Sequence, residues 1–264
     1  MRPKLLLWLV LLSAQLMQAS LQKGGELSVS QQHSDRDQAG NRINIAIDGP
    51  AGAGKSTIAR MVAGQLNYIY IDTGAMYRAV TLAAQRAKVA SSDEAALEQL
   101  LKKIQITLLP GDEGQLVWMN DEDVTGAIRK HEVTEQVSYY AAQRVVREVL
   151  SQWQRELAAT KGVVMDGRDI GTAVLPSAEL KIFLTASVSE RASRRFKQLK
   201  PHEQMDLETL EKSIATRDEL DKQRDISPLV QAEDAILLDS TGKSIDEVVQ
   251  EVVNLGRCKM AGEN

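Results

Sequence analysis

Residues 43–57, which read INIAIDGPAGAGKST, decide the fold of this chain. The β-branched run 43–47 predicts a strand, and this strand ends abruptly at Asp48. Residues 49–56 then fit the pattern G-x-x-x-x-G-K-[ST]. Behind them, apolar residues recur at the spacing of a helix, at Ile58, Met61, Val62 and Leu66. A strand, a glycine-rich turn and a helix in this order predict a loop that binds phosphate groups.

The chemistry of this loop is that of a nucleoside triphosphate site. Glycine lets the backbone wrap closely, so that N–H groups point at phosphate oxygens, and the helix adds its positive dipole end. Lys55 is suited to neutralise phosphate charge, and the Ser56 hydroxyl is suited to ligate Mg²⁺. The strand 163–165 ends at Asp166, which is suited to hold the same ion through water. We predict that the donor nucleotide contacts Gly49, Pro50, Ala51, Gly52, Ala53, Gly54, Lys55, Ser56 and Thr57.

Further apolar runs alternate with helical patterns along the chain. The runs 68–71, 163–165, 180–184 and 235–238 predict four more strands. This alternation favours parallel pairing, and hence a three-layer α/β fold in which helices flank a parallel five-stranded sheet and ligands bind at the carboxyl ends of the strands. The stretch of about 100–130 instead resembles short antiparallel strands, so we expect a small antiparallel β insertion there.

Composition excludes several classes of protein. The chain has 264 residues, of which 43% are hydrophobic and 26% are charged, so it is neither wholly disordered nor fibrous. A formal net charge of −4 does not provide the excess of positive charge that bulk nucleic-acid binding requires. The single cysteine, Cys258, excludes an intrachain disulfide, and three scattered histidines predict no zinc cluster. We therefore expect small-molecule substrates and no nucleic-acid partner.

Residues 1–40 differ in composition from the rest of the chain. Arg2 and Lys4 precede the apolar run 5–12, which has the layout of a secretory signal peptide and is too short to span a bilayer. Residues 23–40 have almost nothing to bury, so we expect this segment to be disordered. Because a nucleotide-dependent enzyme needs intracellular nucleotide, we interpret residues 1–40 as a misassigned start or a dispensable leader. We expect a cytoplasmic protein whose core domain does not contact a membrane, and export remains the alternative.

Arginines follow the predicted strands, where a ligand is expected. Arg78 comes shortly after the second strand, and Arg168 with Asp169 follows the third. Arg191, Arg194 and Arg195 lie at helical spacing on a later segment. For each of these runs, a solvated helix face is the alternative. A net-acidic protein that concentrates arginines at strand ends is expected to bind more than one phosphate group.

Five stretches resemble the bacterial cytidylate kinase family: 49–55, 71–78 (IDTGAMYR), 123–129 (DVTGAIR), 166–171 (DGRDIG) and 217–224. The resemblance runs from about Ile43 to Val253. It implies a P-loop NTPase fold with a nucleoside monophosphate kinase domain at 41–258, an NMP-binding insertion at about 74–160 and a short helical lid at about 187–205. It also implies transfer of the ATP γ-phosphate to CMP or dCMP with Mg²⁺ as cofactor, in pyrimidine metabolism. We expect a monomer.

The resemblance also assigns roles to single residues. Ser138, Arg147 and Asp169 match the family's cytosine-reading positions, and Arg217 and Asp221 match positions near the sugar. The acceptor phosphate is expected to contact Arg78, Arg168 and Arg224, with the Thr73 hydroxyl nearby. The lid arginines are expected to act in catalysis beside Lys55 and Arg168; they are Arg191, Arg194 and Arg195. Ser56 and Asp166 are the expected metal-site residues.

Two other functions remain open at this level. A kinase for another small acceptor, such as UMP, would carry the same phosphate-binding loop. A nucleotide-regulated binding protein without catalytic activity would carry it as well. ADP release that depends on an added nucleotide separates catalysis from binding.

Overall fold

The structure is a computed structural model that describes residues 41–111, 114–197 and 206–262. The predictions for residues 1–40, and for the part of the lid at 198–205, lie outside the described residues. From Arg42 onward the described chain forms one compact unit.

Strands and helices alternate through most of this unit. The strands are β1 (Asn44–Asp48), β2 (Ile69–Asp72), β3 (Ile106–Leu109), β4 (Leu116–Met119), β5 (Glu122–Asp123), β6 (Val163–Gly167), β7 (Leu180–Thr185) and β8 (Ile236–Asp239). The helices are α1 (Lys55–Leu66), α2 (Thr73–Ala87), α3 (Glu94–Leu101), α4 (His131–Ala141), α5 (Arg144–Ala158), α6 (Val188–Lys197), α7 (Leu207–Lys222) and α8 (Ile245–Ala261). A 3₁₀ turn lies at Ala127–Arg129 and a π-helical turn at Ile170–Val174.

The main sheet has five parallel strands in the order β2-β6-β1-β7-β8. The prediction of a parallel five-stranded sheet is confirmed. Strand β1 lies in the centre, and its residues pair in register with β6, so that Asp48 lies opposite Gly167. Asp72 at the end of β2 lies opposite Asp166. The carboxyl ends of β1, β2 and β6 therefore meet at one edge of the sheet.

Apolar side chains on the two faces of the sheet make the three layers. On one face, Ile45 and Ile47 pack against α1 and α8 through Val62 and Val249. On the other face, Ala46 packs in a second cluster with Ala158 of α5 and the π-helical turn. Because successive residues of a strand point to opposite faces, one short β-branched strand such as β1 supplies both layers.

The predicted antiparallel insertion is also confirmed. Strands β3, β4 and β5 form a three-stranded antiparallel sheet. Strand β5 was not predicted, because its two residues are exposed and carry no apolar pattern. This sheet packs with α2, α3, α4 and α5 around a core of its own, in which Met76, Leu97, Val117 and Leu150 are buried.

Side-chain caps fix where the helices begin. Asp72 accepts a hydrogen bond from the Ala75 amide and starts α2. Ser244 and Glu247 form the reciprocal capping box that their spacing indicates, and they start α8. Within the described ranges, no helix is both long and apolar enough to cross a lipid bilayer.

Candidate active site

The glycine-rich loop joins β1 to α1 at the carboxyl edge of the sheet. Gly49 has a φ of +147°, and a Cβ there would lie 1.9 Å from the Leu184 carbonyl oxygen on β7. Gly52 and Gly54 have φ values of +78° and +92°, which L side chains rarely adopt. The three glycines are therefore needed for a loop that passes close to the sheet and turns sharply into α1.

Lys55 is buried at the first turn of α1. Its Nζ donates a hydrogen bond to the Pro50 carbonyl oxygen at 2.7 Å. Burial, followed by the nearby Arg168 guanidinium, holds the pKa of Lys55 well below its usual value. A buried ammonium beside other cations and at a helix N-terminus is stabilised by a bound anion, and phosphate fits this environment.

Asp166 at the end of β6 faces the start of α1. Its carboxylate accepts hydrogen bonds from Ser56 Oγ and Tyr70 Oη, both at 2.9 Å. Burial, and then the nearby Asp72 carboxylate, raises the pKa of Asp166 to about 7. A divalent cation would relieve this unfavourable negative charge, and hydroxyl and carboxylate oxygens are the donors that Mg²⁺ prefers. The two residues predicted for the metal site thus lie together and fit the ion.

Among the described residues, no group of three or more His, Cys, Asp or Glu side chains could hold a metal ion by itself. An ion at Ser56 and Asp166 would therefore complete its coordination with water and with oxygens of a bound phosphate.

A second pocket opens beside the loop, between β6, α2, α4 and α7. It is lined by all the residues predicted for the acceptor except Arg78 and Arg147. These lining residues are Thr73, Ser138, Arg168, Asp169, Arg217, Asp221 and Arg224. Its free volume is about 50 Å³, which is below the several hundred Å³ of a typical small-molecule site. The pocket is therefore narrow, and the charged side chains that line it lie close together.

Arg147 and Asp169 form a buried ion pair at one end of this pocket. Arg147 also donates to the Ala141 carbonyl oxygen at 3.0 Å, and its guanidinium lies 5.4 Å from the centre of the Tyr77 ring. A carboxylate acceptor and a guanidinium donor are thus held side by side. This pair is complementary to a ring edge that carries a donor next to acceptors.

Asp221 pairs with two of the arginines that line this pocket. Its carboxylate pairs with Arg168 Nε at 2.8 Å and with Arg224 Nη2 at 2.7 Å. Burial opposes the ionisation of Asp221, but these guanidinium groups outweigh burial and hold its pKa well below the usual range. Ser138 Oγ donates to the same carboxylate at 3.1 Å.

The spacing of Arg217, Asp221 and Arg224 predicts that they share one helix face, and this prediction is wrong for Arg224. Helix α7 ends at Lys222, and Gln223 at its C-cap leaves the helical conformation. Arg224 therefore reaches Asp221 from the segment that follows the helix.

Arg78 and Arg217 have no carboxylate partner among the ion pairs of the described residues. Arg78 donates to Thr134 Oγ1 at 2.7 Å, and Arg217 Nε is buried without a hydrogen-bond partner. Burial, with Arg168 as a further cause, lowers the pKa of Arg217 to about 9 and that of Arg78 to about 10. Both groups stay charged at neutral pH, so this end of the pocket carries positive charge that an anion would balance.

Comparison with known proteins identifies the family. Residues 45–257 match the sequence profile of the family described as Cytidylate kinase. The chain belongs to the cytidylate kinase family. It is 56% identical over 216 residues to Cytidylate kinase of Geobacillus sp. strain WCH70, which covers 81% of this chain and 96% of that protein. It is 54% identical over 215 residues to Cytidylate kinase of Exiguobacterium sibiricum, with 81% and 96% coverage, and 55% identical over 220 residues to that of Listeria welshimeri, with 83% and 98% coverage.

The arginines of the segment predicted as the family's lid lie on α6 and differ in their contacts. Arg191 Nη1 donates to the Ala51 carbonyl oxygen at 2.8 Å. Arg194 donates to the Ser240 carbonyl oxygen at 2.8 Å and pairs with Glu190 at 2.9 Å. Arg195 is near enough to Arg78 to lower the pKa of that arginine, although burial is the main cause. Arg191 thus bonds to the glycine-rich loop itself, whereas Arg195 faces the acceptor side.

Sequence reasoning missed four residues that shape this cytidylate kinase site: Asp48, Tyr70, Tyr77 and Asp218. Asp48 accepts hydrogen bonds from the Ile170 and Gly171 amides at 2.8 and 2.7 Å and so holds the turn that follows Asp169. Its position at the end of β1 was a usable signal, because polar groups at strand ends face the ligand edge. Tyr70 and Tyr77 gave no such signal, since an aromatic residue in a strand or helix is most often part of the core.

Proposed function

We propose that this protein transfers the γ-phosphoryl group of ATP to CMP or dCMP, giving CDP or dCDP and ADP, within pyrimidine nucleotide metabolism. One observation carries the proposal. Asp166 connects the two sites: its carboxylate accepts a hydrogen bond from Ser56 Oγ of the glycine-rich loop at 2.9 Å, and its backbone carbonyl oxygen accepts one from Thr73 Oγ1 of the second pocket at 2.7 Å. Two phosphate-binding centres therefore adjoin, as a direct transfer between two nucleotides requires.

The reaction needs no protein base. The second pKa of a phosphate monoester is near 6, so the attacking oxygen of the acceptor is already ionised at neutral pH. The barrier then consists of bringing anions together and stabilising charge in an in-line transition state. Lys55 is suited to the donor phosphates, and Arg78, Arg168 and Arg224 are suited to the acceptor phosphate.

Base selection is assigned to the buried pair of Arg147 and Asp169. Cytosine presents an amino donor beside the N3 and O2 acceptors, so it can donate to the carboxylate and accept from the guanidinium. Uracil presents an oxygen in place of the amino group and would leave two acceptors facing each other. An unpaired buried polar group costs about 1–3 kcal/mol, which corresponds to roughly ten- to hundredfold selection.

Ser56 and Asp166 are proposed to hold Mg²⁺ together with phosphate oxygens of ATP. When bound, the ion neutralises charge on the β- and γ-phosphates. The chain's own contribution is to orient Asp166, whose two oxygens accept from Ser56 and Tyr70.

The remaining assignments are proposals as well. Residues of about 74–160 are proposed as the part that binds the acceptor, and residues of about 187–205 as a lid whose arginines close over the donor and exclude water. A cytoplasmic location and a monomeric state remain predictions.

The decisive experiment is an ADP-release assay with ATP, Mg²⁺ and each of CMP, dCMP, UMP and AMP. We expect rapid ADP release with CMP or dCMP and at least tenfold lower kcat/KM with UMP and AMP. Mass spectrometry of the product identifies the diphosphate. ADP release that does not depend on an added monophosphate, or a preference for UMP, would contradict the proposal.

A further inference from the structure

Both backbone groups of Ala51, in the glycine-rich loop, are held by one buried ion pair. The Ala51 amide donates to Asp218 Oδ1 at 3.0 Å, and its carbonyl oxygen accepts from Arg191 Nη1 at 2.8 Å. Arg191 Nη1 and Asp218 Oδ2 lie 2.6 Å apart and close the ring. Such a ring determines the orientation of the peptide planes on both sides of Ala51.

The pair lies in the interior of the protein. The side chains of Arg191 and Asp218 are only 4% and 8% exposed. Arg191 Nε donates in addition to the Ala186 carbonyl oxygen at 2.9 Å. A buried ion pair recovers its desolvation cost only when its geometry is good and its remaining donors are satisfied, so it is weak support for stability alone. What this pair does achieve is a defined position for the loop.

The two partners connect the donor side to the acceptor side. Arg191 lies on α6, and Asp218 lies on α7 directly after Arg217 and three residues before Asp221. The loop passes so close to α6 that a Cβ on Gly52 would lie 3.3 Å from the Cβ of Arg191. The helix that supplies acceptor-pocket residues is thus bonded to the loop that is proposed to bind the triphosphate.

These contacts bear on how Arg191 acts. Nε and Nη1 of its guanidinium are engaged by the Ala186 and Ala51 carbonyl oxygens and by Asp218, so a shift of this group toward a bound nucleotide would break these bonds. We propose that Arg191 and Asp218 are positioning residues. They act on the donor nucleotide through the backbone at Ala51, and they hold the glycine-rich loop at a fixed position relative to α7. This inference rests on the proposed kinase activity.

The test compares Arg191→Met, Asp218→Asn and the double variant by steady-state kinetics with ATP and CMP. We expect each single variant to lower kcat/KM for ATP by about 10- to 100-fold, as a small misplacement of reacting groups does. The double variant is expected to be no worse than the poorer single variant, because both changes break one ring. Arg191→Lys keeps the charge and one donor, and it is expected to recover part of the loss.

Glu122→Gln is the control, because it removes an ion pair with Arg86 on the surface; it is expected to keep wild-type kinetics. Losses that multiply in the double variant would overturn the inference. So would an Asp218→Asn variant with wild-type activity beside an inactive Arg191→Met variant, since Arg191 would then contact the nucleotide itself. If Asp218→Asn does not fold, a folded Arg191→Met variant with wild-type kcat and KM for ATP overturns it.

Calorimetric titration of ATP separates this inference from the proposed function. Wild-type protein that binds ATP but releases no ADP with any monophosphate contradicts the proposed activity only. In that case, about tenfold weaker ATP binding by Arg191→Met and Asp218→Asn still supports the positioning role. Unchanged ATP affinity in both folded variants rejects it.

Discussion

At the scale of single residues, the site is a set of buried cations that the protein only partly neutralises. Asp221 pairs with Arg168 and Arg224, whereas Arg217 keeps a buried Nε without a partner. Burial lowers the pKa of Arg217 to about 9, with nearby cations as a further cause. Stabilising positive charge in such a place requires an anionic ligand, so the substrate is part of the electrostatic balance of the site.

Lys55→Ala is expected to abolish phosphoryl transfer, with a loss of at least about 10³-fold in kcat. The physical reason is that Lys55 is the only lysine of the glycine-rich loop. The melting temperature is expected to stay close to that of the wild type, because the change removes a buried charge that desolvation already disfavours. Lys103→Ala, at an exposed position, is the matched control. Turnover near wild type in Lys55→Ala would remove the role given to this lysine.

Asp169→Asn is expected to narrow the preference for CMP over UMP by about tenfold or more. An asparagine amide can donate to the uracil oxygen, whereas it opposes the amino group of cytosine. Because Arg147 loses its buried partner, stability is expected to fall by about 3–5 kcal/mol.

The ratio of kcat/KM values for CMP and UMP is therefore the measurement, since it does not depend on the folded fraction. Asp121→Asn, at an exposed turn, controls for the loss of one charge. An unchanged ratio would show that Asp169 does not read the base.

At the scale of elements, the strand-to-helix turn is the feature with the least tolerance. Gly49 has a φ of +147°, and a Cβ there would lie 1.9 Å from the Leu184 carbonyl oxygen. Neither side can relax freely, because both atoms belong to the backbone and Leu184 lies in β7, which is paired with β1 and β8 in the main sheet. The position of the loop is therefore set by its approach to a neighbouring strand as well as by the ring at Ala51.

Gly49→Ala is expected to destabilise the protein by at least about 3 kcal/mol, since it combines a strained φ with overlap against a carbonyl. Gly64→Ala is the matched control, because a Cβ at Gly64 in α1 would meet nothing within 4 Å. This control is expected to change stability by at most about 1 kcal/mol, in the stabilising direction. Urea unfolding of both variants provides the comparison, and equal effects would contradict the steric argument.

At the scale of the whole molecule, the acceptor pocket is lined by residues from two parts of the fold that have separate apolar cores. One core joins the main sheet to α1 and α8, and the other joins α2 to α5 and the small antiparallel sheet. Thr73 and Tyr77 on α2 line the pocket from one side, and Arg168 at the end of β6 lines it from the other. The acceptor pocket therefore depends on both parts of the fold.

Deletion of residues 1–40 is expected to leave the melting temperature within about 2 °C and kcat/KM within about twofold of the full chain. The reason is that the family match begins at residue 45 and the buried residues of the described core begin at Ile43. Thermal unfolding and the CMP assay on both proteins test this. A large loss of either quantity would show that the leader contributes to the folded enzyme.

Much of the fold could be read from local patterns, because those patterns act over a few residues. The glycine-rich motif and the five apolar runs each predict a structure that the chain adopts, and the spacing of Ser244 and Glu247 predicts the capping box that starts α8. Local patterns did not predict strand β5 or the end of α7 before Arg224. In both places the outcome depends on tertiary contacts and not on propensity.

The sequence by itself determined that this chain makes a phosphate-binding loop on a parallel sheet, since strand, glycine turn and helix are consecutive. Only the tertiary structure decided which charges meet. Asp218 lies 167 residues from Ala51, and Arg191 lies 140 residues from it, so neither pairing leaves a local pattern. On a helix that carries many charges, the sequence does not distinguish a carboxylate that becomes buried from one that stays in contact with water. Burial by residues that are distant in the sequence changes the free energy of each charge. For this reason, the sequence alone could not decide which charged groups pair.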